Sequence, residues 1–261
     1  MKRFSWTAVI LLFVLSSHGQ IKVTLLGTGT PQPIMERFGP SILVQAGSEI
    51  LLFDAGRGCL QRLRQINQSY DKISALFLTH LHSDHIVGLP DLWLTGWLIS
   101  ERKEPLKIFG PLGTGNLIKY LRKAFAYDIS IRAEDDKAFA EGSKFLVNEI
   151  QQGVIYENND VKVIAITVDH FPVKPAFGYR IEYHGHSVVL SGDTRYSENL
   201  IHYAKGADLI IHEVALAPDT LSKTDPKYPR PSHKTTREQA AKVFNELEPW
   251  YAAYSRIVGL Y

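Results

Sequence analysis

Of its 261 residues the chain spends one on cysteine, Cys59. A single thiol closes no internal disulfide, so stability must come from a packed core, and any metal site must be built from histidines and carboxylates. An excess of either charge is also missing. Without Lys2 and Arg3, basic and acidic residues balance at 27 each, which argues against general affinity for a polyanion. There is no tandem repeat, low-complexity tract or obvious linker. The "LLGTGTPQP" stretch at 25–33 lacks the third glycine of a dinucleotide fingerprint, so it is weak evidence for phosphate binding.

The N-terminus differs from the rest. Lys2 and Arg3 precede an apolar run from Trp6 to Leu15, followed by Ser16, Ser17, His18 and Gly19. The run is too short to cross a bilayer, and the small residues at positions 17 and 19 suit a cut before Gln20. Residues 1–19 read as a secretory signal peptide, and residues 20–261 as one mature domain, secreted or periplasmic and with no membrane attachment after cleavage. A lipoprotein signal would need a cysteine at the cut, and none is there.

Short apolar runs with β-branched content predict strands at Ile21–Leu26, Ser41–Val44, Ile50–Phe53, Ala75–Leu78, Leu106–Phe109, Val161–Thr167, Gly178–Tyr183, Ser187–Leu190, Asp208–Ile211 and Tyr251–Tyr254. Helical periodicity appears near Arg57–Asn67, Gly115–Tyr127, Glu198–Ala204 and Thr236–Leu247, the last with Thr235 and Glu238 in capping-box spacing. Residues 128–158 are polar and read as irregular. Strands interspersed with helices argue for an α/β or α+β fold, its sheets covered by helices.

Chemistry concentrates in "THLHSDH", residues 79–85, where the apolar run Leu76–Leu78 breaks into His80, His82, Asp84 and His85. A turn after a strand can aim alternate side chains at one ion, and residues further round it can face a second about 3.5–4 Å away. One turn closes neither shell, so other loops must contribute. His170, Asp193 and His233 qualify, each where a predicted strand stops or a helix begins. His184 and His186 flank a glycine in a predicted hairpin turn and read as surface. His212 ends an apolar run and reads as structural.

These motifs, with "DAG" at 54–56, "VDHFPVKPAFGYRI", "SGDTR" and "SHKTTREQAA", resemble the metallo-β-lactamase superfamily, in the branch of ribonuclease Z and the exported arylsulfatase-type hydrolases. The resemblance runs across nearly all of the mature chain. It implies an α+β fold, a four-layer αββα sandwich, with a two-zinc site at one edge of the sheets. By motif, His80, His82 and His170 would hold the first Zn2+, Asp84 and His85 the second, and Asp193 would bridge them. Asp84 would also accept a proton, and His233 would be the catalytic histidine outside the metal shell. Asp54 would tie loops together beneath the site, and Glu213 would orient His233. Dimers are frequent in this branch, so a homodimer is compatible with the resemblance.

Two departures stand out. Bacterial ribonuclease Z proteins commonly carry a long tRNA-gripping arm between the third histidine ligand and the bridging aspartate, but here His170 and Asp193 are 23 residues apart. Two strands and a turn fill that gap. The expectation is therefore an exported zinc hydrolase of a small anionic ester, an aryl sulfate or phosphodiester, with nucleic acid an unlikely partner. A ribonuclease Z-type enzyme acting on tRNA 3′ ends is the alternative. The second departure is Arg256 in "YAAYSRIVGLY", where relatives place their last histidine ligand. A guanidinium stays protonated and cannot ligate zinc. This leaves open a weakened second site, an arginine that binds the substrate's anionic group, or a C-terminally incomplete, catalytically impaired relative that binds a ligand.

Overall fold

The computed structural model describes residues 19–135, 139–216 and 234–258. The predicted signal peptide up to residue 18 and His233 lie outside the described residues. Among those described, the strands are β1 (Ile21–Gly27), β2 (Ser41–Ala46), β3 (Glu49–Phe53), β4 (Ala75–Phe77), β5 (Leu106–Gly110), β6 (Phe145–Glu149), β7 (Gly153–Asn158), β8 (Val161–Thr167), β9 (Phe177–Tyr183), β10 (His186–Leu190), β11 (Leu209–Ala215) and β12 (Tyr251–Val258). The helices are α1 (Cys59–Gln65), α2 (Ser83–Ile86), α3 (Leu89–Leu98), α4 (Thr114–Ala124), α5 (Ala126–Asp135), α6 (Glu198–Ala204) and α7 (Arg237–Leu247).

Two six-stranded sheets form, ordered β1-β2-β3-β4-β5-β6 and β12-β11-β10-β9-β8-β7. In the first sheet β1–β3 pair antiparallel and β3–β6 parallel. In the second β7–β10 pair antiparallel and β10–β12 parallel. Successive side chains on a strand point to opposite faces. Leu51, Phe53, Ala75 and Phe77 thus enter the core between the sheets, while Leu52, Leu76 and Leu78 pack outward with Leu63, Leu92 and Trp93. Both faces are covered, which is why these strands read as unbroken apolar runs. On the far side Ile166, Val189 and Ile210 pack with Leu200 of α6 and Phe244 of α7. The layers are helix, sheet, sheet, helix, as the resemblance implies. Between the sheets Phe53, Phe77, Phe109, Tyr156 and Tyr179 form a chain of ring contacts.

Three local expectations are corrected. Residues 128–158 are not irregular: they hold the end of α5 and the strands β6 and β7. These two are outermost in their sheets, and half-exposed edge strands carry polar residues that hide the alternation. Helix α3 escaped notice because "LPDLWLTGWL" is apolar on nearly every face. The capping box of α7 sits one residue later than expected, between Thr236 and Gln239. Thr235 instead donates its hydroxyl to Thr194 O at 2.8 Å.

Candidate metal centre

The carboxyl-terminal ends of β4, β8 and β10 meet at one edge of the sandwich, and β12 brings Arg256 to the same place. Strand β4 delivers Thr79 and His80, and α2 follows with Asp84 and His85. Thr79 is pinned from the second sheet, since Phe177 N donates to Thr79 O at 2.9 Å and Tyr179 Oη to Leu78 O at 2.6 Å. The loop after β8 carries His170. The loop after β10 carries Asp193, preceded by Gly192 at φ 61°. A Cβ at Gly192 would lie 2.4 Å from Phe177 O, so only glycine fits this turn. These two loops are tied by Arg195, which pairs with Asp169 and donates its N–H to Asp169 O at 2.7 Å.

Three imidazole nitrogens converge at the mouth. His80 Nε2 lies 2.9 Å from His82 Nδ1, and His170 Nε2 lies 3.4 Å from the same atom. A tetrahedral ion with Zn–N bonds of about 2.0–2.1 Å holds its nitrogens about 3.3 Å apart, so this donor set fits a divalent ion. Burial, then the nearby His85, push His80 well below the ordinary histidine range, and burial also lowers His82. Both therefore favour the neutral form that a ligand needs.

Beneath them Asp54 ties the cluster together. Its carboxylate accepts from Thr79 N at 2.8 Å, Thr79 Oγ1 at 2.9 Å and His85 Nδ1 at 2.7 Å. Because the carboxylate only accepts, the Thr79 hydroxyl donates to it and in turn accepts from His80 Nδ1 at 2.9 Å. This assigns the tautomers: His80 and His85 both carry their proton on Nδ1 and present a bare Nε2 to the site. Asp54 adopts φ 58°, a conformation that Asp tolerates better than most residues. The "DAG" segment also fixes α2 through Ala55 N to His85 O at 2.8 Å and Gly88 N to Ala55 O at 2.9 Å.

Asp84, His85 and Asp193, expected to hold a second Zn2+ with Asp193 bridging, come together at the same edge, and His85 and Asp193 group with His80. Arg256 reaches among these three. Its Nη1 contacts His85 Nε2 and lies 2.8 Å from Asp84 Oδ2, and its Nε lies 2.9 Å from Asp193 Oδ2. The carboxylate contacts are ion pairs rather than aligned hydrogen bonds, since Asp84 Oδ2 accepts none and Arg256 Nε donates none. Burial alone would raise Asp193, but Arg256, then Lys234 and His85, outweigh it and hold the carboxyl well below the usual carboxylate range.

Lys234 was missed in the sequence, although it stands in "SHKTT" beside His233. Its ammonium pairs with Asp193 and lies 3.4 Å from Glu213 Oε2. Glu213 accepts from Thr194 N at 2.9 Å and Thr235 N at 3.3 Å, so it knots the Asp193 loop to the segment that follows His233. Burial pushes the Glu213 carboxyl up to about 7 against the opposing pull of Lys234. His184 and His186 are half-exposed near the β9–β10 turn, and His212 is fully buried, as expected. Cys59 is buried, and burial raises its thiol to about 12, which makes it an inert core residue.

A histidine triad at the strand ends of an αββα sandwich defines the class, a metal-dependent hydrolase of the metallo-β-lactamase fold. Residues 21–224 match the family described as anti-Pycsar protein Apyc1. Ribonuclease Z of Mycolicibacterium gilvum is 43% identical over 196 residues, 74% of this chain and 68% of that protein. Ribonuclease Z of Mycobacterium bovis is 41% identical over 196 residues, covering 74% and 70%. Human tRNase Z, short form, superposes with a TM-score of 0.72 at 22% identity, over 92% of this chain and 93% of that one. A diphosphatase of the PhnP family superposes with a TM-score of 0.68 at 19% identity, over 92% and 87%. The chain belongs to the Apyc1 family, among the ribonuclease Z relatives of the metallo-β-lactamase-fold hydrolases.

Proposed function

We propose that this chain is a phosphodiester hydrolase whose substrate is a nucleotide ester, on the pattern of its ribonuclease Z relatives. The observation that carries this reading is the convergence of His80 Nε2, His82 Nδ1 and His170 Nε2 beside the cations Arg256 and Lys234. Together they make a site for a metal ion and an anionic group. His80, His82 and His170 would hold a divalent ion, which would supply Lewis-acid chemistry for hydrolysis. Asp84, buried beside the triad, takes the proton of the attacking water. His233 donates a proton to the leaving group.

The ribonuclease Z relatives bring nucleic acid forward as a substrate class, and nothing in the comparisons favours sulfate esters. The size of the substrate is argued from the fold. Strands β9 and β10 are joined by a tight turn at His184 and Gly185, with Tyr183 paired to His186. That hairpin fills the stretch between His170 and Asp193, which favours a short phosphodiester or an RNA end over a whole tRNA. Export by residues 1–19 completes the proposal.

The test is a rate comparison on the zinc-loaded chain with bis(p-nitrophenyl) phosphate, p-nitrophenyl sulfate and a 3′-extended pre-tRNA. Chelator-sensitive cleavage of the diester is expected. Faster turnover of the sulfate would overturn the reading, and efficient pre-tRNA trimming would identify the ribonuclease Z-type activity.

A further inference from the structure

We propose that Arg256 replaces the second metal ion, so that this centre takes one divalent ion and keeps a permanent organic cation beside it. The placement follows from the backbone. In the parallel pair β11–β12, Ser255 faces Glu213 and Ile257 faces Val214, so Arg256 is the extra residue of a bulge. It adopts φ 43°. A bulge re-aims one side chain out of the alternation of its strand, and here the buried guanidinium lies among Asp84, His85 and Asp193.

The contacts are those a metal ion would make. Asp54 fixes the His85 proton on Nδ1, which leaves the Nε2 lone pair facing Arg256 Nη1. A metal ion would need that same lone pair. Asp84 and Asp193 each offer a carboxylate oxygen to the guanidinium within 3 Å. Among the described residues, His80, His85 and Asp193 form a second group with donor atoms close enough for a metal, but Arg256 already touches two of the three.

Charge points the same way. The buried carboxylates Asp84 and Asp193 already face Arg256, and Asp193 also shares Lys234 with Glu213. A second dication would sit uncompensated against a guanidinium that stays protonated at any working pH. With Nη1 and Nε held against His85, Asp84 and Asp193, Arg256 is a fixed positive charge beside the site.

Metal stoichiometry tests this without reference to turnover. The chain and Arg256→His are loaded with Zn2+, freed of excess by gel filtration and measured by elemental analysis, and each is titrated with Co2+ by absorbance. One ion per chain is expected for the wild type and two for Arg256→His. Any wild-type value other than one overturns the proposal, and so does a folded Arg256→His that still holds one. Should the histidine variant fail to fold, Arg256→Ala is titrated instead. A second Co2+ equivalent is expected there, and an end point remaining at one overturns the proposal. Because ion counting needs no substrate, failure of the phosphodiesterase reading would leave this result standing, and the reverse also holds.

Discussion

Replacing Asp54 by Asn removes one negative charge beneath the histidines while preserving size and tolerance of φ 58°. The carboxylate accepts from Thr79 N, Thr79 Oγ1 and His85 Nδ1 at 2.7–2.9 Å. An amide keeps one oxygen for Thr79 N but turns donors toward the other two partners. His85 must then lose its hydrogen bond or move its proton to Nε2, where it meets the N–H of Arg256. Thr79 must likewise turn its hydroxyl toward His80, which displaces the Nδ1 proton there. Hydrogen bonds to charged groups contribute about 1.5–3 kcal/mol each, and an unpaired buried donor costs a similar amount. The expected loss is about 3–5 kcal/mol, a large part of the roughly 5–15 kcal/mol that holds a domain folded. Urea unfolding of the metal-free protein, followed by tryptophan fluorescence, measures it. Supporting groups of this kind also change metal affinity by roughly 10–100-fold, so competition with a chelator should show weaker Zn2+ binding. An Asn variant within about 1 kcal/mol of wild type, with unchanged zinc affinity, would refute the assigned tautomers.

Other outcomes are checked more simply. His82→Ala should abolish zinc retention and nearly all hydrolysis while leaving the unfolding midpoint little changed, because His82 is exposed and only its nitrogen is used. His233→Ala should keep its zinc and lose turnover, and full activity of the loaded variant would remove His233 from the mechanism. His212 is fully buried, and burial lowers its pKa from 6.5 to about 4. The unfolded chain therefore takes up a proton below pH 6.5 that the folded chain refuses, so stability falls as pH drops from 6.5 toward 4. Between pH 7 and 5 this costs about 2 kcal/mol. His212→Leu should lose that much less over the same interval, as read by urea midpoints in metal-free protein.

Ligands that lie close in sequence were legible because local chain geometry decides them. "THLHSDH" had to be a strand end running into a turn, and there His80, His82, Asp84 and His85 can reach only one small volume. The sandwich was legible for a similar reason, because strands covered on both faces must be apolar throughout. Strands β6 and β7 and helix α3 were hidden where edge exposure or burial on every face erases periodicity. Asp54 was already recognisable in its motif, but the tautomers it imposes on His80 and His85 depend on distances between separate elements.

What the sequence by itself determined is the His80 and His82 part of the candidate metal site and the class of chemistry, since both rest on residue types at short spacing. The fate of the second site belonged to the tertiary structure. Arg256 stands 171 residues from His85 along the chain, and its side chain reaches Asp84, His85 and Asp193 only through one bulge in the β11–β12 register. In sequence Arg256 is simply a missing ligand. Sheet pairing, a long-range property that no local pattern encodes, turns that loss into a cation seated on the carboxylates that would have held the metal.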